Sequence, residues 1–470
     1  MNKIVKNIIS TYSSNVINKF MSFALLIIIA RKFDVLVFGL VSFATVFIDY
    51  FSVLASLGIE SIAIRNLSKN RSLRNAYYSN VLILRIVLSI LALILIIVSA
   101  LIIGYKDIKL WLILLYGVNM FLSAFNVNWI FSSHEKLELT AASRTINNIV
   151  MFGVLMMFLR YSTSILMLPI MQIFSTSITI VMEYIIYIRV FGRLKYIFKK
   201  KLFAGILRSS IPIGISTILI KICNNSSILF LSFMTSDLSV GLYNAAFRLI
   251  YMIQTIADLF FVTLYPTMSN LVNKIESFEK VCSIAIKIMA IVALPIFIGG
   301  LILADKIILH LYGTGYINSV LTFRLLLVYL LTSYIGGIFG YVIMIKRKES
   351  TLLKMVFINS VLNVLLNLIL IPKYGIEGAA ISTIVPTSAL FFFWLREYRK
   401  VVNTRYYSLI KLPAIAAIIM GIFLYFINIP NLYVSILVGF LIYSITIYCF
   451  GELKVFLELK EIKFKAETIL

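Results

Sequence analysis

Acidic side chains, histidine and cysteine are all scarce in this chain, and each scarcity removes a class of function. There are two histidines and three cysteines in 470 residues. His134 and His310 stand alone in loops. Cys223, Cys282 and Cys449 lie inside apolar runs with no metal-like spacing, so they read as small core residues. No catalytic constellation of carboxylates or of nucleophile and base stands out. Gly313-Thr314-Gly315 is too little for a phosphate-cradling loop, and no segment between apolar runs is long enough to hold a nucleotide-hydrolysing domain. The longest external loop, 304–321, is likewise too short to be a catalytic domain. The sequence therefore reads as a non-enzyme without cofactor or metal. Charge is thin as well, at 13% of residues, and lopsided: 43 Lys and Arg against 19 Asp and Glu, a net charge of +24.

What is abundant is apolar surface. The chain is 61% hydrophobic with a mean hydropathy of +1.02, more than a soluble core of this size can hide, so it is a polytopic membrane protein. The positive charge does not call for nucleic acid, because the bases sit in short segments between apolar spans. The N-terminus carries Lys3 and Lys6, then the polar run STYSSNVINK without a small-residue cleavage site, and reads as the first span rather than a removed leader.

At about 20 apolar residues per crossing, fourteen spans are expected, near 10–30, 37–57, 80–103, 110–131, 146–159, 164–188, 209–233, 241–265, 281–303, 322–345, 351–371, 377–395, 412–428 and 432–450. With the N-terminus inside, the cytoplasmic segments hold 30 Lys and Arg and the external loops seven. That asymmetry places both termini in the cytoplasm of a cell (inner) membrane protein. The most basic segment, 189–208 (RVFGRLKYIFKKKLFAGILR), holds seven bases and no acid. It fixes the orientation and divides the chain.

The two parts it divides are alike. A shift of 202 residues lays Gly39 on Gly241, Ala44 on Ala246, Lys19 on Lys221, Arg85 on Lys287 and Arg144 on Lys346. Spans one to six thereby map onto seven to twelve in the same orientation, a parallel repeat of transporter type. The expected fold class is all-α, with two parallel six-helix lobes and two extra C-terminal helices. The expected domains are a first lobe (1–188), the basic linker (189–208), a second lobe (209–395), a basic loop (396–411), the two added helices (412–450) and a cytoplasmic tail (451–470). In 367–383 (NLILIPKYGIEGAAIST), Pro372 stops one helix, Gly375 allows a tight turn, and Gly378-Ala379-Ala380 starts the next with residues suited to close packing.

Polar residues inside the spans form stripes at helical spacing. Span one carries Asn15, Asn18, Lys19 and Ser22. Span two carries Ser42, Thr45, Asp49, Ser52 and Ser56. Span seven has Thr217, Lys221, Asn224 and Asn225, and span eight has Asn244, Arg248, Tyr251, Gln254 and Asp258. A mid-bilayer charge costs about 2.5–3.5 kcal/mol on insertion scales, so such residues face protein or water. The functional reading makes Lys19, Asn15, Asn18, Lys221, Asn224, Asn225, Asn244 and Arg248 the lining of a wet cationic cavity, with Asp49 and Asp258 as coupling-ion carriers. The structural alternative pairs Lys19 with Asp49 and Arg248 with Asp258 as interhelical glue. Arg85, Lys287 and Arg324, near span ends, are expected to reach the interface, and Glu183 to lie near the cytoplasmic face.

The segments 30–44 (ARKFDVLVFGLVSFA), 56–69 (SLGIESIAIRNLSK), 239–249 (SVGLYNAAFRL), 303–320 (LADKIILHLYGTGYINSV) and above all 367–383 resemble the Wzx-type polysaccharide biosynthesis flippases of the multidrug/oligosaccharidyl-lipid/polysaccharide exporter superfamily. The resemblance covers essentially the whole chain. It implies two six-helix lobes in a V, with a central cavity lined by spans one, two, seven and eight. It also implies an undecaprenyl-pyrophosphate-linked oligosaccharide as the cargo, moved from the cytoplasmic to the external leaflet for O-antigen, capsule or exopolysaccharide synthesis. The lipid bilayer, a polysaccharide polymerase and a chain-length regulator are the further partners it implies. Spans thirteen and fourteen would form a groove for the lipid tail. Where relatives carry cavity arginines, Lys19 and Lys221 supply point charges rather than forks. Two other functions fit parts of the pattern: an ion-coupled multidrug or metabolite exporter, in which acids should dominate the cavity, and a membrane polymerase or glycosyltransferase, which needs catalytic residues in longer external loops.

Overall fold

The computed structural model describes residues 3–159, 164–346, 349–402 and 406–458. Side chains at 3–17, 158–159, 223–224, 349–350 and 406 lie outside the described set, and with them Asn15 and Asn224. Fifteen helices follow one another without a strand among the described residues: α1 (Lys3–Lys32), α2 (Val35–Ser56), α3 (Ile59–Lys69), α4 (Arg74–Ile103), α5 (Asp107–Leu122), α6 (Asn128–Ser133), α7 (Leu137–Leu159), α8 (Met167–Phe191), α9 (Lys200–Met234), α10 (Asp237–Leu271), α11 (Ile275–Tyr312), α12 (Ser319–Ile345), α13 (Glu349–Arg399), α14 (Tyr406–Ile427) and α15 (Leu432–Cys449). Eleven described stretches are long and apolar enough to cross a membrane. One of them, Thr351–Arg399, serves as two crossings, because α13 turns back on itself. With α1 (30 residues) and α7 (23 residues), the fourteen expected crossings are accounted for. This is a multi-pass membrane protein.

The turn in α13 is where the sequence placed it. Gly375 has φ +55° and ψ −125°, outside the helical region. Asn363 Nδ2 donates to the Ser382 carbonyl at 2.9 Å, and Asn367 Nδ2 to Asn363 Oδ1 at 3.0 Å, so the arms lie side by side. A Cβ on Gly378 would come within 2.3 Å of the Leu370 carbonyl oxygen. The small residue is what lets the arms approach.

The chain separates into two compact units, 1–241 and 242–470. The expected boundary in the basic linker is displaced, because α9 packs against α2, α3 and α4 and so belongs to the first unit. Its partner α2 runs antiparallel to it along its whole length. Gly58 and Leu57 meet Ile213 and Gly214 at one end, Asp49 and Tyr50 meet Lys221 in the middle, and Gly39 meets Asp237 at the other end. At that last end a Cβ on Gly39 would fall 1.7 Å from the Asp237 carbonyl oxygen, and one on Gly241 2.2 Å from that of Val35. These two contacts exchange under the 202-residue shift (35 to 237, 39 to 241). The internal repeat thus appears as a pseudo-twofold contact between backbones, possible only with glycine at both positions.

In the second unit α12 packs between α11 and the hairpin of α13. Gly336 and Gly340 give room to Phe391 and Trp394. The α14–α15 pair docks on α11: Tyr443 donates to the Ile291 carbonyl at 2.8 Å, and Lys306 Nζ reaches Asn428 Oδ1 at 2.9 Å and the Ile429 carbonyl at 2.7 Å.

Candidate functional site

The polar face of α2 is the place where the first unit departs from an apolar bundle. Ser42, Thr45, Ser52 and Ser56 each donate back to a carbonyl three or four residues earlier, so the helix satisfies its own hydroxyls. Thr45, Asp49, Ser52 and Ser56 border a cavity of about 300 Å³ shared with Arg85 of α4, Asn119 of α5 and Gln172 of α8. The Asn119 side-chain oxygen is buried there without a protein hydrogen-bond partner. A cavity of this size, lined with hydroxyl, amide and charged groups, holds water readily.

Lys221 lies beside this cavity. Its ammonium is 3.2 Å from Asp49 Oδ1, donates to the Asp49 carbonyl at 3.0 Å and reaches Ser52 Oγ at 3.4 Å, while Tyr50 donates to the Lys221 carbonyl at 3.2 Å. The Lys221 and Asp49 side chains are 25% and 49% exposed. The pair is therefore held within the bundle yet accessible. In the structural alternative Asp49 pairs with Lys19; here its ion-pair partner is Lys221, brought to it by α9. In the repeat, Tyr251 occupies the position of Asp49, so the second half has no carboxylate at that register.

The other described candidates fall in both units. Asn18 is buried, its amide oxygen accepting from Asn148 Nδ2 of α7 at 2.9 Å, while Lys19 is exposed. Asn225 is half-buried in the first unit. In the second unit, Asn244 is buried, Arg248 half-buried and Asp258 exposed.

Arg85, expected to reach the interface, is instead buried, and so is Glu183. Arg85 lies 2.8 Å from Glu60 Oε1 and donates to the carbonyls of Ser123 and Asn126. Glu183 accepts from the Val127 amide at 3.0 Å and from Asn126 Nδ2 at 3.4 Å. Both serve the break at 123–127 between α5 and α6. Non-helical backbone at membrane depth leaves donors and acceptors orphaned, and here one guanidinium and one carboxylate satisfy them. Sequence reasoning missed this because each charge has its partners on another helix. Lys287, the repeat mate of Arg85, is likewise ion-paired, with Glu452, and Arg324 pairs with Asp305 at 2.7 Å.

A polar lock that the sequence did not suggest sits near the Gly39 contact. Lys109 Nζ contacts both oxygens of Asp237 at 2.7 and 2.9 Å and Ser232 Oγ at 3.0 Å, and lies 4.2 Å from the centroid of the Phe43 ring. Beside it, burial pushes the Tyr105 phenol well above its ordinary range, with the Asp237 charge adding to the effect.

The sequence profile of a family described as "Polysaccharide biosynthesis protein" matches residues 4–272. Two Haloferax volcanii proteins align in part. One, named "Probable flippase AglR", is 26% identical over 40% of this chain and 39% of its own length. The other, "Probable low-salt glycan biosynthesis flippase Agl15", is 27% identical over 31% of each. The aligned region thus spans well under half the length of these curated relatives. Among solved structures, the lipid II flippase MurJ in an inward closed conformation superposes with a TM-score of 0.78 at 18% identity, over 95% of this chain and 98% of that one. An inward-facing multidrug resistance MATE transporter of the MOP superfamily gives 0.62 at 15% identity, over 83% and 96%. At such identities the likeness is one of fold.

Proposed function

Because the chain belongs to the polysaccharide biosynthesis protein family, we propose that it is a flippase that carries an undecaprenyl-pyrophosphate-linked oligosaccharide repeat unit from the cytoplasmic to the external leaflet. The observation that carries this reading is Lys221: an ammonium in the middle of a membrane-length helix, partly exposed, beside a polar cavity. A diphosphate crossing a bilayer must exchange its hydration for fixed cations and dipoles. A basic, wet site suits such a headgroup, whereas a site for cationic drugs would need the opposite sign. The cell membrane of a polysaccharide producer, with the polymerase and chain-length regulator as neighbours, is the setting that follows. O-antigen, capsule and exopolysaccharide are the products that would depend on it.

Movement in this proposal is alternating access, with the α2–α9 contact parting at one end at a time. Lys19 and Lys221 bind the diphosphate, helped by Asn15, Asn18, Asn224, Asn225, Asn244 and Arg248. Asp49 and Asp258 carry the coupling ion. For Asp49 the ion pair gives this a concrete form: when Lys221 turns to the anion, Asp49 loses its counter-charge and takes up a cation in its place. The test is complementation of a flippase-null strain, with membrane levels checked by blotting. K19A and K221A should each strongly impair glycan export without loss of insertion, while K19R and K221R keep much of it. Full export from the K19A/K221A double variant would refute the proposal.

A further inference from the structure

The segment 192–199, between α8 and α9, is gripped from α4 by two buried side chains. The Ile197 amide donates to Ser79 Oγ at 2.9 Å, the Lys199 amide donates to Asn80 Oδ1 at 3.3 Å, and Asn80 Nδ2 donates to the Ile197 carbonyl at 3.1 Å. Asn80 thereby pairs with this backbone much as a neighbouring strand would. The approach to the segment is held as well, since Arg74 donates to the Phe191 carbonyl at 2.9 Å and lies over the Phe191 ring.

Although the backbone is fixed, much of its side-chain surface is left exposed. Tyr196 is 73% and Phe198 57% exposed, although the first ring rests on Tyr78 (centroids 5.9 Å apart) and the second on Phe203 (5.7 Å). Between and after them stand Arg193, Lys195, Lys199, Lys200 and Lys201, all exposed and none in an ion pair among the described residues. Orientation by positive charge asks only for bases in a loop. It gives no reason for a clamped backbone that leaves two large rings more than half exposed. The ends of the segment are the ends of two membrane-length helices, so it lies within a few residues of the bilayer surface. Aromatic rings favour that interfacial layer, and clustered bases favour anionic headgroups within a Debye length.

We propose that 192–199, with Lys200 and Lys201, is a preformed platform for anionic phospholipid headgroups, the two rings seated among the lipids and the cations against their phosphates. The inference is independent of what the protein transports. Its occupant is bulk membrane lipid, argued from charge complementarity and from the position of the segment at the ends of two crossings.

The experiment uses the purified full-length protein reconstituted in vesicles with spin-labelled phosphatidylglycerol or phosphatidylcholine, comparing the motionally restricted fractions. Wild type should select the anionic lipid about fivefold, and 0.5 M salt should shrink that selection, as expected for surface charge. K195A/K199A/K200A should bring the ratio close to one. N80A leaves every charge in place but releases the backbone, and should lose at least half of the selection. Y196S/F198S keeps the Asn80 clamp and every charge and should lower it too, so a misfolded N80A does not leave the question open. A wild-type ratio near one, or ratios in the triple and Y196S/F198S variants equal to wild type, would overturn the proposal. So would displacement of the anionic lipid by soluble inorganic pyrophosphate at micromolar concentration, which would make the platform a diphosphate site instead.

Discussion

Substituting Asp49 by Asn and Lys221 by Met, singly and together, separates what their ion pair does for the fold from what Lys221 does for transport. Two unit charges 3.2 Å apart attract by about 5 kcal/mol at an effective dielectric near 20. Much of that is offset by desolvation and by water at the half-exposed carboxylate, so a net coupling of about 1–2 kcal/mol is expected. D49N leaves an ammonium in the bundle without its carboxylate, and K221M leaves a carboxylate without its cation, so each single variant should lose about 1–2 kcal/mol. In D49N/K221M neither charge remains, and most of the stability should return. Export should not return, because the cation for the diphosphate is gone. Stability is read from SDS-driven unfolding in mixed micelles by circular dichroism, and export from complementation of the null strain. If the two single losses simply add in the double variant, the pair contributes nothing in the working protein. If the double variant exports normally, Lys221 is structural only.

R85L should be among the most damaging single changes, costing about 3–5 kcal/mol, because it strips Glu60 and the carbonyls of Ser123 and Asn126 of their buried cation; the yield of folded, detergent-extractable protein measures it. G39A and G241A each place a methyl group inside contact distance of a carbonyl and should cost about 1–3 kcal/mol. G205A, with open space around it, should be neutral or better, and thermal shift of the purified variants measures all three. Burial lowers the pKa of the His134 imidazole; its contact with the Ile130 carbonyl opposes this, and the charges of Arg71, Arg74 and Lys136 reinforce it. A group whose folded pKa is depressed stabilises the fold above its unfolded value of about 6.5 and loses that contribution as pH falls below it. The thermal midpoint should therefore drop between pH 7.5 and 5.5, and H134Q should flatten the drop.

The sequence by itself determined the secondary structure and the repeat. The eleven described stretches long and apolar enough to cross a membrane all fall on expected spans, since a bilayer leaves the chain few choices beyond helices about 20 residues long. The turn at Gly375 was readable because proline and glycine act locally. The 202-residue shift was readable from Gly39, Lys19 and Arg85, and the meeting of Gly39 with Asp237 and of Gly241 with Val35 gives it a physical form. Partnership was not readable. Helical spacing shows which face of a helix is polar but not which helix lies against it, so Lys19 stood as the structural alternative for a partner of Asp49, whereas α9 brings Lys221 to it. Arg85 and Glu183 looked like charges near span ends, whereas the tertiary fold turns them inward onto a helix break whose orphaned groups only a distant residue can satisfy. The basic segment 189–208 announced itself by charge alone. That Ser79 and Asn80 hold part of it in a fixed conformation depends on contacts across more than a hundred residues, which tertiary structure alone decides.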